Sequence, residues 1–114
     1  MTLYLASDLL WASKIKGTAD ALGLPCRPAR NAEMVRARLA DSPVKAFIAD
    51  LEAGPVAVEL IALLKVEAPQ VQVVAFGPHV ATEMLTAAHQ AGAQRVMTRG
   101  AFADQLPALL KSLA

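Results

Sequence analysis

The chain has 114 residues, enough for one domain, and its 11 basic and 10 acidic side chains leave a net charge of +1. That balance argues against a nucleic-acid-binding domain, which carries a marked basic excess, and the single cysteine, Cys26, excludes an internal disulfide and a paired-cysteine zinc site. Hydrophobic residues reach 55% while aromatics stay at 4%, so a core must be built from Ala, Leu and Val, small enough to bring helices close to a sheet.

Residues 2–6 (Thr-Leu-Tyr-Leu-Ala) are a short apolar run that predicts a first strand, followed by Ser7-Asp8, a pair suited to starting a helix. Apolar residues at helical spacing from Leu9 to Leu22 predict a helix that stops at Gly23. Trp11 falls near the start of its core face, where most tryptophans serve packing. Leu24–Pro28 is broken by proline and predicts a weak edge strand. Asn31 can cap a helix to about Leu39, with Met34, Val35 and Leu39 on one face, and Asp41-Ser42-Pro43 ends it.

Lys45–Asp50 is the clearest strand, four apolar residues running into a carboxylate. Gly54-Pro55 opens a third helix to about Glu67, with proline tolerated in the first turn, and Ala68-Pro69 closes it. Val71–Phe76 is a fourth apolar strand ending in Gly77-Pro78. Ala81–Gln90 is a fourth helix, stopped by Gly92. Arg95–Thr98 is a fifth strand, and Ala103–Leu113 a last helix.

Strands this apolar, alternating with helices, imply a parallel sheet covered on both faces. Five strand–helix units are solved naturally by the strand order 2-1-3-4-5, whose binding crevice lies at the carboxyl ends of strands 1 and 3. The strand ends supply Ala6, Ser7 and Asp8, then Asp50 and Glu52, then Gly77, and finally Thr98 and Arg99. His79 follows strand 4, within reach of Asp50 or of a partner. A buried carboxylate is costly without a partner, so Asp50 calls for a reason beyond packing. Three stand side by side: a salt bridge to Arg99, a cap on the following helix, or a functional role.

Several other chemistries find no support. The loop after strand 1, Ser-Asp-Leu-Leu-Trp, has neither a glycine fingerprint nor a Walker-type lysine. His79 and His89 have no cysteine or second histidine at ligand spacing. Lys14, Lys16, Arg27, Arg30, Arg36 and Arg38 put basic charge around the first two helices, which usually means solvation. No run approaches the roughly 18 apolar residues of a membrane span, and the N-terminus lacks a signal-peptide layout. A cytoplasmic location is expected, with neither nucleic acid nor membrane as partner.

With Asp50 closing strand 3 and the run Ala91-Gly92-Ala93-Gln94-Arg95-Val96-Met97-Thr98-Arg99 around strand 5, the chain resembles the receiver domains of bacterial response regulators. The similarity spans the whole chain, strongest from Ala88 to Arg99 and weakest across strand 2. It implies an α/β, three-layer, doubly wound, flavodoxin-like fold with five helices, as a single receiver-like domain over 1–114. It makes Asp50 the equivalent of the phosphate-accepting aspartate. The family's pair of metal-holding acids falls on Ala6 and Ser7, its Ser/Thr after strand 4 on Gly77, and its lysine on Arg99. The proline after that lysine falls on Gly100, and the strand-5 aromatic on Val96.

Phosphoryl transfer to an aspartate needs a metal to neutralise the phosphoryl oxygens. Mg²⁺ is usually anchored by one or two carboxylates, and here only Asp8, Asp50 and Glu52 remain as weak candidates. Asp8, at a helix start, is better suited to capping. The guanidinium fork of Arg99 suits a permanent bidentate clamp on Asp50. The resemblance and its departures together imply a non-enzymatic, phosphorylation-independent pseudo-receiver with no cofactor, acting on a protein partner or as a homodimer. Its contact face would be the fourth helix, fifth strand and fifth helix, with Glu83, Thr86, Gln90, Arg95, Asp104 and Lys111 exposed. Two alternatives stand beside it. One is an active phosphate acceptor using Asp50 with Mg²⁺ on substitute ligands. The other is a small-ligand module with its pocket around Ser7, Asp50, Gly77 and His79.

Overall fold

Each strand gives way to a helix in a computed structural model that describes residues 1–114. The order is β1 Thr2–Leu5, α1 Leu9–Ala21, β2 Cys26–Pro28, α2 Ala32–Asp41, β3 Ala46–Asp50, a 3-10 turn Leu51–Ala53, α3 Pro55–Glu67, β4 Gln72–Gly77, α4 Thr82–Ala91, β5 Arg95–Thr98 and α5 Arg99–Leu113. The strands pair in parallel in the order β2-β1-β3-β4-β5, as the alternation of elements predicts. No helix is long and apolar enough to cross a membrane.

The two-residue period of a strand divides the sheet's side chains between two cores. Leu3, Leu5, Phe47, Ala49, Val73 and Ala75 face one layer, packed with Val35 of α2, Leu60, Ile61 and Leu64 of α3, and Ala88 of α4. Tyr4, Ile48, Val74 and Phe76 face the other, with Ile15 and Ala19 of α1 and Phe102, Leu106, Leu109 and Leu110 of α5. Burying each large apolar side chain contributes about 1.5–3 kcal/mol, so both layers are needed to hold so short a set of strands. In the second layer Phe76 and Phe102 stack with centroids 4.0 Å apart and planes 3° from parallel. Trp11 leans on both, at 4.8 and 5.7 Å. The packing role expected for Trp11 is thus its observed one.

Side-chain caps set the helix starts. Asp8 Oδ1 accepts from the Trp11 N–H at 2.9 Å, and Asn31 Oδ1 from the Met34 N–H at 2.8 Å. Thr98 Oγ1 accepts from the Ala101 N–H at 3.3 Å, so α5 begins at Arg99, directly off β5, and not at Ala103 as the apolar spacing suggests. Gly92 stops α4 at φ +120°, a backbone conformation that favours glycine, and an added Cβ, 2.5 Å from Lys65 Cδ, would also displace that side chain. The first strand ends at Leu5, one residue earlier than predicted, and β2 keeps only three residues.

Candidate functional site at the strand ends

Reversal of the winding between β1 and β3 places α1 and α3 on opposite faces and opens a crevice above the two strand ends. Asp50 closes β3, in register with Phe76 of β4, while Leu5 pairs with Ala49 one step below. The Asp50 side chain therefore lies beside the chain leaving β1. It is fully buried, and both its oxygens are engaged by backbone. Oδ2 accepts from the Ser7 N–H at 2.8 Å and Oδ1 from the Glu52 N–H at 3.0 Å. Two donors of this kind offset much of the cost of burying the carboxylate. Of the roles open to Asp50, capping is the one its geometry displays: it caps the 3-10 turn that follows β3.

The clamp of Arg99 on Asp50 does not form. Arg99 Nη1 instead donates to Glu52 Oε1 at 2.9 Å, in a pair whose side chains are 48% and 36% exposed. The physical reason is solvation. Pairing with Asp50 would drag the guanidinium into the interior, whereas Glu52 rides on the 3-10 turn and meets it at the surface. The pair spans from the end of β3 to the start of α5, across the end of β4.

At that end, Gly77 is in register with Thr98 of β5 and is buried. A Cβ added there would touch Leu51 Cβ at 3.4 Å, Leu51 Cδ1 at 3.5 Å and Leu85 Cδ2 at 3.6 Å. Leu51, itself 1% exposed, fills the space beneath. Ser7 is exposed and reaches the site through its backbone. Asp8 points into its own helix as a cap, and Thr98 caps α5. His79 is exposed and is not among the partners of Asp50. Sequence reasoning missed Leu51 and the backbone role of Ser7. A leucine next to a strand-end aspartate signals little beyond core, and a backbone donor leaves no mark in residue type.

A divalent cation fits this arrangement poorly. The two positions beside Asp50 on the β1 side, Ala6 and Ser7, bring no carboxylate, Asp8 is occupied in capping, and Glu52 is committed to Arg99. No three His, Cys, Asp or Glu side chains converge as a metal cluster. The cavities do not converge on Ser7, Asp50, Gly77 and His79 either. One of about 220 Å³ lies beside α1 and β2, lined by Tyr4, Ser7, Asp8, Leu9, Pro28 and Arg30 among others. The largest, about 440 Å³, opens at the opposite end of the sheet beside Lys65, Val71, His89 and Gly92.

Elsewhere, half of the basic residues near the first two helices meet acids. Lys16 pairs with Asp20 at 2.7 Å and Arg36 with Glu67 at 2.7 Å on exposed surface, and the partly buried Arg38 with Asp41 at 3.1 Å. The Arg36 contact holds the Glu67 carboxyl below the usual range. Glu83, Thr86, Gln90, Arg95, Asp104 and Lys111 are exposed on α4, β5 and α5, with Arg95 Nη2 donating to Gln105 Oε1 at 2.7 Å.

Neither a family model nor a curated protein matches the sequence. Solved structures do. The receiver domain of NtrX from Brucella abortus is 19% identical, with 99% of this chain and 97% of that one covered and a TM-score of 0.81. A response regulator from Thermotoga maritima is 17% identical over 98% of this chain and 94% of its own, at a TM-score of 0.78. The beryllofluoride-activated NtrC4 receiver domain dimer is 13% identical over 99% and 98%, at 0.74. Against the longer NtrX chain, the match covers 26% of that protein. The chain has the fold of response-regulator receiver domains: five parallel strands in the order 2-1-3-4-5 with five helices.

Proposed function

We propose that this chain is a response-regulator-type signalling domain, a single unit over 1–114, that acts by protein contact without phosphorylation of Asp50. The observation that carries this reading is the state of the Asp50 carboxylate, fully buried with one backbone N–H on each oxygen. A phosphate-accepting carboxylate must present an oxygen to the incoming phosphorus in line with the leaving group, beside a metal that offsets the charge. Here a backbone N–H competes for the lone pairs of each oxygen, the carboxylate is buried away from an incoming group, and no second carboxylate stands beside Asp50 to help seat a cation. Gly77 brings no hydroxyl, and Arg99 is engaged outside by Glu52. Each loss bears on a different requirement of the transfer, and they coincide on one retained scaffold.

Without a chemical step, the domain's work is recognition, and it is not an enzyme. The contact surface we assign is the face of α4, β5 and α5, where Glu83, Thr86, Gln90, Arg95, Asp104 and Lys111 offer a mixed polar rim to a protein partner or a second copy. The dimer described for the beryllofluoride-activated NtrC4 receiver domain supports a second copy as one such partner in this fold. A cytoplasmic setting suits such a role. The decisive experiment is incubation with Mg²⁺ and acetyl phosphate, or beryllofluoride, followed by intact mass and amide NMR. No adduct and no shift at Asp50 is the expected result; a stable adduct with shifts reaching α4 would instead establish an active acceptor on substitute ligands.

A further inference from the structure

Three consecutive residues, the last of β3 and the first two of the 3-10 turn, reach three different neighbours. Asp50 bonds the Ser7 N–H beyond β1, Leu51 fills the space under Gly77 at the end of β4, and Glu52 holds Arg99 at the start of α5. The segment thus touches the carboxyl ends of every strand of the sheet but β2. Its outermost tie is the least expected. Arg99 is the first residue of α5, and the N–H groups of a first turn have no intrahelical partner. Only one side-chain cap serves that turn, from Thr98 Oγ1 at a long 3.3 Å. Gly100 follows, with nothing within 4 Å of where a Cβ would stand, so no side chain at that position packs the turn down.

We infer that Glu52 is a positioning residue: its ion pair with Arg99 clamps the 3-10 turn after β3 to the first turn of α5 and holds that turn in one orientation. The inference rests on the reading above, because α5 belongs to the proposed contact face, and it adds the residue that sets the face's geometry. The clamp is intramolecular and requires no acquired charge. It draws its cation away from Asp50, which is why the two acids of this segment have separate partners, one backbone and one side chain.

The test is amide hydrogen exchange of Ala101 and Phe102 in the full chain, compared among wild type, Glu52→Gln, Arg99→Gln and the double variant, with Glu52→Arg/Arg99→Glu as the charge swap. Both groups are partly exposed, so the effect is modest: each single variant should exchange roughly two- to five-fold faster in that turn. The double variant should be no faster than the singles, and the swap should recover most of the protection. Unchanged exchange in the singles, or rates that multiply in the double, would overturn the clamp. Beryllofluoride on wild type addresses only the proposed function. An adduct there sinks phosphorylation independence while the exchange coupling still stands or falls by itself.

Discussion

Asp50 and Ser7 are joined across the switch point by a 2.8 Å hydrogen bond from the Ser7 N–H to the buried carboxylate. A backbone donor cannot be deleted by changing the side chain at position 7, so the bond follows from the path of the chain and not from the identity of the serine. That makes the acid a staple between the ends of β1 and β3.

Removing the staple has a predictable cost. Asp50→Ala leaves the Ser7 and Glu52 N–H groups without their acceptor and is expected to destabilise the fold by about 2–3 kcal/mol. Asp50→Asn, which keeps one good acceptor oxygen, should lose less. Urea denaturation reads both. A loss below about 0.5 kcal/mol for the alanine variant would mean that the two bonds contribute nothing net.

Gly77 tests the neighbouring strand end. An alanine there meets Leu51 and Leu85 at ordinary contact distances, so Gly77→Ala should fall within about 1 kcal/mol of wild type. Gly77→Thr pushes a branched side chain and a hydroxyl into leucines and should cost about 1–3 kcal/mol. Thermal unfolding separates the two. If threonine were neutral, the space above Leu51 would be larger than the contacts indicate, and a hydroxyl could be introduced at the site without penalty.

Cys26 is buried between α1 and the sheet, and burial pushes its thiol from 9.0 up to about 11, with lesser opposing and reinforcing effects from Lys16 and Asp20. An acid whose folded value lies above its unfolded one supports the fold below the unfolded value and loses that support as pH rises toward the folded value. Unfolding free energy should therefore decline between about pH 9 and 11 more steeply in wild type than in Cys26→Ala. Iodoacetamide at pH 8 should leave the native thiol unmodified and label it only after unfolding. Rapid native labelling would contradict the burial.

The aromatic stack carries the largest packing prediction. Phe102→Ala empties a fully buried site against Phe76 and should cost about 3–5 kcal/mol. Trp11→Ala, at a half-buried position over the same two rings, should cost distinctly less. Chemical denaturation followed by circular dichroism gives the ranking. Equal losses would place the tryptophan deeper in the core than its position indicates.

The fold was legible because its signals repeat: apolar runs of strand length, helices closed by Gly23 and Gly92, and a proline at the start of α3. Five such units leave few arrangements. The candidate site was legible in its members and less so in its bonds. Ser7, Asp50, Glu52, Gly77 and Arg99 do gather at the strand ends, but charge alone could not assign Arg99 between two acids two residues apart. The 3-10 turn decided it, by turning Asp50 inward and Glu52 outward, and a three-residue turn has no sequence period to betray it. The start of α5 was misjudged for a related reason. Arg99 and Gly100 give no apolar signal, and the cap from Thr98 belongs to a residue already counted as strand.

The brevity of β2 has a consequence for how copies of this molecule can meet. Its three residues end in Pro28, which has no amide hydrogen to offer, and Pro25 stands just before them. A further strand laid against that margin would find almost no ladder to extend, so polymerisation by sheet growth is blocked on that flank. Any assembly that lengthens the sheet has only the β5 margin available, and one open margin can close a pair but cannot propagate a fibre.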